Sequence, residues 1–215
     1  MTVDEAFEHI KKNRPQIIFI NGKTATGKTT FAKKLKAELG YFLIEMDTVA
    51  RQEVIIPLGL PDNGTTFKEI YRYRNHLDWI DLNIRKLQEF AKKAFSEGHP
   101  VVFDGAMPNT TTMNQLFAGL PNPEILFFHP SNLKKYEQYV TQRFILSDEN
   151  NNAQLPTSFW EMMDDDEFKK FCQTREITPT LKKIIEDYCI YGLKSSTNRL
   201  AELEQNFNTI VLVEI

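Results

Sequence analysis

The chain has 215 residues, 41% hydrophobic and 26% charged, which supplies a core and excludes a disordered tail. Its 26 Lys and Arg against 29 Asp and Glu give a formal charge of −3, which argues against a broadly basic nucleic-acid or membrane-surface binder. The longest apolar runs (Ile17–Ile20, Ile125–Phe128, Ile210–Val213) fall far short of the roughly 20 residues a membrane span requires. The acidic N-terminal stretch lacks the apolar segment of a secretory signal, and Cys172 and Cys189 form neither a disulfide framework nor a zinc spacing. The expectation is a soluble cytoplasmic protein of one domain, 1–215.

In chain order, five short apolar runs read as strands: Gln16–Asn21, Phe42–Met46, Val101–Asp104, Ile125–His129 and Thr209–Val213. Their hydrophobicity is continuous rather than alternating, the pattern of strands covered on both faces. Between the first two, Phe31, Leu35 and Leu39 recur at helical spacing and stop at Gly40, a C-terminal glycine. Ile70, Tyr73, Leu77, Ile80, Ile84, Leu87, Ala91 and Ala94 step by threes and fours, which predicts a long helix ending before Gly98 and Pro100. That stripe packs on its own sheet or, as the alternative, forms a coiled-coil seam that would support a homodimer. Thr178-Pro179 reads as a helix cap followed by a first-turn proline. Strands alternating with helices make an α/β fold with a mainly parallel sheet. The expected core is 14–50, 100–130 and 209–215, with an insertion over about 51–99 and a lid plus C-terminal helices over about 131–208.

The first strand leads into Gly22-Lys23-Thr24-Ala25-Thr26-Gly27-Lys28-Thr29, the pattern G-x-x-x-x-G-K-[ST], with a helix after it. Strand before and helix after are the context that gives this motif its meaning. The glycines let backbone N–H groups of Gly22 and Thr24–Thr30 close around phosphate oxygens, and the helix that starts near Lys28 points its positive end at the same place. Lys28 supplies a point charge to the β and γ oxygens, and the Thr29 hydroxyl suits Mg²⁺. Gly22, Thr24, Ala25, Thr26, Gly27, Lys28, Thr29 and Thr30 are therefore the predicted triphosphate contacts. Lys23 is expected to be a solvated loop lysine, with a contact to the phosphates as the alternative.

Two carboxylates end later runs: Asp47 after Phe42–Met46, and Asp104 after Val101–Phe103. In an open parallel sheet, ligands bind beyond the carboxyl ends of strands, so both should face the loop. A base-reading N-K-x-D segment, which a GTPase would need, is absent. With GKTATGKT, Asp47, Asp104-Gly105-x-x-Pro108 and a later arginine region, the chain resembles the P-loop kinases of small molecules and nucleotides. That group contains uridine kinase, adenylate kinase, shikimate kinase and the zeta-toxin-like kinases. The resemblance implies a three-layer fold with a five-stranded sheet in the order 2-3-1-4-5. It also implies Mg-ATP as phosphoryl donor and an acceptor held between the core and the insertion.

Phosphoryl transfer needs positioning, charge neutralisation and a group that orients or deprotonates the attacking hydroxyl. Asp47 is the candidate for the last role, with a helix cap as its structural alternative. Asp104 is the candidate magnesium residue, alternatively a turn cap before Gly105. Arg143 is the candidate lid arginine, with Arg175 as second choice; Arg51, Arg72, Arg74 and Arg85 could clamp an anionic acceptor but read better as surface charges. Pro108 is followed by Asn109, where these kinases commonly carry arginine. Such a thin arginine supply suits a hydroxyl acceptor (nucleoside, sugar or related metabolite) better than a nucleotide. Two alternatives stay open: a nucleotide-binding switch or hydrolase without an acceptor, and a zeta-toxin-like kinase of a nucleotide sugar. Asp164-Asp165-Asp166-Glu167 reads as a solvated helix face rather than a metal site, and His129 as a strand end near the crevice.

Overall fold

Ile17, Ile18, Phe19 and Ile20 are all wholly buried because β1 (Ile17–Gly22) is covered on both faces. The computed structural model describes residues 1–55, 77–105, 109–145 and 165–215. Strand β1 lies mid-sheet between β3 (Val101–Asp104) and β4 (Glu124–His129); β2 (Phe42–Glu45) and β5 (Ile210–Glu214) are the outer strands. Every pairing is parallel, and the order is β2-β3-β1-β4-β5, as expected.

Period-two geometry sends successive side chains to opposite faces, and two core clusters result. Ile17, Phe19, Val101, Phe103, Ile125 and Phe127 face one way. They meet Leu87, Ala91 and Ala94 of α4 (Leu77–Ser96), Met113 and Leu116 of α5 (Thr110–Phe117) and Leu203 of α8 (Pro179–Asn206). Ile18, Ile20, Val102, Leu126 and Phe128 face the other way, onto α1 (Val3–Asn13) and α2 (Lys28–Leu39). The long apolar stripe on α4 is thus spent on its own sheet, not on a coiled coil; its predicted beginning at Ile70 lies outside the described residues.

Helix ends follow their sequence signals. Thr2 and Glu5 form a reciprocal capping box on α1, and Thr178 caps α8 ahead of Pro179. A third cluster joins α6 (Leu133–Ile145), α7 (Asp165–Thr174) and α8 through Tyr136, Val140, Phe144, Phe171, Leu181, Ile185, Tyr188 and the free Cys189. No described helix is long and apolar enough to cross a membrane. Asp166 is exposed, in keeping with a solvated acidic face; Asp164 and the Ser158–Glu161 segment lie outside the described residues.

Candidate nucleotide site

Past β1 the chain turns through residues 23–27 and enters α2 at Lys28. Ala25 (φ 64°) and Gly27 (φ 85°) both take the left-handed conformation. A non-glycine held there costs about 1–3 kcal/mol, a cost that concentrates at functional loops. Left-handed residues within a turn aim successive N–H groups inward and create an anion nest. Gly27 caps α2 without a side-chain hydrogen bond, and the first turn of α2 holds no acid, so its positive end is unneutralised from within the helix. At the head of the loop a Cβ on Gly22 would lie 2.3 Å from the Phe128 carbonyl oxygen, so only glycine fits against β4.

Lys28 Nζ donates to the Lys23 carbonyl oxygen at 2.6 Å, and Thr26 Oγ1 donates to the same oxygen at 2.7 Å. Burial pushes the Lys28 ammonium down to about 8; Asp104 and Asp47 oppose that fall, and the charges of Arg143 and Lys23 add to it. Burial thus outweighs the pull of the two carboxylates. Asp104, the last residue of β3, is buried, and its Oδ1 has no hydrogen-bond partner. Burial pushes its carboxyl above the usual range, while a Thr29 hydroxyl bond and Lys28 hold it down; Asp47 and Glu45 push it up again. A Cβ on Gly105 would lie 2.8 Å from that of Met46, so glycine lets the end of β3 pass close to the chain leaving β2.

Asp47 is not the strand end expected. Strand β2 stops at Glu45, and Met46, buried as a core residue, opens the short helix α3 (Met46–Val49) with Asp47 in its first turn. Nor is Asp47 the cap: that position is Glu45, which makes no side-chain capping bond. Asp47 is exposed, and its charge acts on both Lys28 and Asp104. Lys28, Thr29, Asp104 and Asp47 are therefore gathered at the carboxyl edge of the sheet around one phosphate loop.

Residues 17–165 match the AAA domain family. The chain belongs to it. With its loop intact, this AAA domain is a nucleotide-binding P-loop domain. A search of the curated proteins finds no match. Among solved structures, a sugar kinase from Janibacter sp. is 16% identical over 93% of this chain and 85% of its own, with a TM-score of 0.44. A shikimate kinase from Bacteroides thetaiotaomicron is 17% identical over 88% of this chain and 98% of its own, with a TM-score of 0.41. Likenesses of this size leave the chemistry to the site's own residues.

A cation fits one part of this AAA domain. The buried, unpartnered Asp104 Oδ1 beside the Thr29 hydroxyl is a hard-oxygen donor pair, the kind that suits Mg²⁺ completed by waters and phosphate oxygens. Among the described residues, no group of three or more His, Cys, Asp or Glu could hold a metal by itself. Arg143, in the last turn of α6, is close enough for its charge to depress Lys28. Arg175 instead ends α7 with its guanidinium over the Phe171 ring at 5.5 Å. Arg85 is exposed on α4. Arg72, Arg74 and Pro108 lie outside the described residues, as does the side chain of Arg51. Thr24 is half-buried and Thr30 exposed in the first turn of α2.

Two residues escaped the sequence reading. Asn21 is buried at the mouth of the loop, its Oδ1 accepting from the Gly22 N–H at 2.6 Å and its Nδ2 unpartnered. Lys23 is not the solvated lysine expected: its ammonium donates to Ser195 Oγ at 2.6 Å. Nothing local to either residue announced this.

Proposed function

We propose that this AAA domain is an ATP- and magnesium-dependent phosphotransferase that moves the γ-phosphoryl group to a hydroxyl of a small-molecule acceptor. The observation that carries the reading is Asp47, an exposed carboxylate within electrostatic reach of both Lys28 and the buried Asp104. A triphosphate in the loop would take the amide nest of residues 22–30 and draw Lys28 away from the Lys23 carbonyl to its β and γ oxygens. Thr29 and Asp104 would hold Mg²⁺, which when bound neutralises phosphate charge. Asp47 orients the acceptor hydroxyl and takes its proton. The hydroxyl oxygen attacks the γ-phosphorus, the bond to the β–γ bridging oxygen breaks, and ADP leaves with that electron pair. Arg143 adds positive charge on the migrating group. The acceptor would be held by the insertion of about 51–99, with a lid plus C-terminal helices over about 131–208; the free, buried Cys189 is in keeping with a reducing cytoplasm.

The test is incubation with γ-labelled ATP and magnesium against a panel of nucleosides, sugars and related metabolites. Acceptor-dependent ADP release with label in the acceptor is expected. Release that no acceptor changes would make the protein a hydrolase or switch and remove the transferase reading.

A further inference from the structure

The second residue of the phosphate loop is held from a distance. Lys23 Nζ donates to Ser195 Oγ at 2.6 Å, across 172 positions of sequence, and stands 5.8 Å from the centroid of the Tyr191 ring. Tyr191 and Ser195 are four residues apart on α8 and share one helix face, so the ammonium meets a hydroxyl and an aromatic face from the same helix. The next residue of α8, Ser196, is fully buried and its Oγ is 3.0 Å from His129 Nδ1. His129 ends β4, whose Phe128 pairs with Gly22 at the entrance to the loop. Helix α8 therefore grips the loop at Lys23 and the neighbouring strand end at His129. The Lys23 carbonyl, meanwhile, is the common acceptor for Lys28 Nζ and Thr26 Oγ1.

We infer that Lys23 is a positioning residue, anchored to Ser195 and Tyr191 so that its peptide carbonyl and the turn after it are fixed in the shape that receives a triphosphate. Its side chain points to α8, and its main chain sets where Lys28 waits. Helix α8, which supplies no residue of the loop motif, thereby becomes part of the nucleotide seat. This rests on the reading of the loop as a triphosphate site and adds a residue pair that the motif does not contain.

The experiment is ATP binding by calorimetry on the full chain, with thermal unfolding of the nucleotide-free protein alongside. A charge-assisted hydrogen bond lost at a half-exposed site should weaken binding about tenfold for Ser195→Ala. Tyr191→Ala, at an exposed position, should weaken it by a few-fold. Ser195→Thr, which keeps the hydroxyl, should restore most of the loss. Lys23→Met should weaken binding as much as Ser195→Ala, and combining the two should add little, because both remove one anchor. Unchanged unfolding midpoints would show the loss to be local. Wild-type affinity in both Ser195→Ala and Tyr191→Ala would overturn the anchor. A far larger loss in Lys23→Met than in Ser195→Ala would also overturn it, by making Lys23 a direct phosphate ligand. If the wild-type chain itself binds no ATP, the triphosphate reading fails first; intact wild-type binding with indifferent variants condemns only the anchor.

Discussion

The two ends of the sheet treat polar groups in opposite ways. At the amino-terminal end, His9 Nε2 and Glu124 Oε1 pair at 2.9 Å, Asn13 bonds His9, and the Tyr41 hydroxyl donates to the Pro15 carbonyl at 2.8 Å. Arg14 closes the same end on the Leu39 carbonyl at 2.7 Å. At the carboxyl end, Asp104 Oδ1 is buried with no partner, Asn21 Nδ2 likewise, and Lys28 carries a depressed pKa beside a carbonyl. A buried polar group without a partner costs about 1–3 kcal/mol. A fold that satisfies one end and leaves the other wanting holds its binding capacity where the partners are missing. The unpartnered Asp104 and Asn21 stand at the same edge of the sheet as the loop motif.

Substitutions can break that contrast, most severely at Lys28. Lys28→Ala should reduce nucleotide-dependent turnover by about 10³-fold or more, read as ADP release, because nothing else in the loop brings a full charge to the phosphates. Asp47→Asn should keep ATP affinity and lower transfer by about 10²–10⁴-fold, the range for a general base; wild-type transfer in this variant would remove Asp47 from the chemistry. Asp104→Asn should lower turnover and raise the magnesium concentration that gives half the maximal rate. Because burial disfavours the Asp104 charge, the same change should leave the nucleotide-free protein as stable as wild type, or up to about 1 kcal/mol more so, in chemical denaturation.

The pH response sharpens the comparison further. With Lys28 pushed down to about 8, its neutral fraction grows above that pH. ATP requires the ammonium, so affinity should fall as pH rises through 8, and binding near pH 8 should take up a proton. Calorimetry in buffers of different ionisation enthalpy measures that uptake, which Lys28→Met should lose. For stability the sign is reversed: between about 8 and the ordinary lysine value of 10.5, the unfolded chain binds the extra proton. The nucleotide-free fold therefore gains stability as pH rises across that window. The smallest effect on turnover belongs to the satisfied end. His9→Ala leaves Glu124 buried and should cost about 1–2 kcal/mol of stability with turnover unchanged.

The sheet was legible because its strands are covered on both faces, and continuous apolar runs such as Ile17–Ile20 say so. The placing of Lys28, Thr29 and Asp104 at one edge of the sheet was legible for a different reason, since a glycine-lysine turn after a strand and a strand-end acid are local patterns. The end of β2 was misjudged because Met46 is apolar whether it closes a strand or opens a helix; only packing under Gly105 decides. The bond from Lys23 to Ser195 lay beyond sequence reasoning altogether. Its partner sits on a helix whose register against the loop is set by the third core cluster, and no local pattern encodes that register.

Gly22 also sets the room available to anyone who would redesign this protein. Thr48, exposed beside Asp47, leaves freedom to substitute. The junction of β1 and β4 allows none: a single methyl group at position 22 would have to displace the Phe128 peptide, and with it the strand that flanks the loop. Any substitution series on this loop should spare that position.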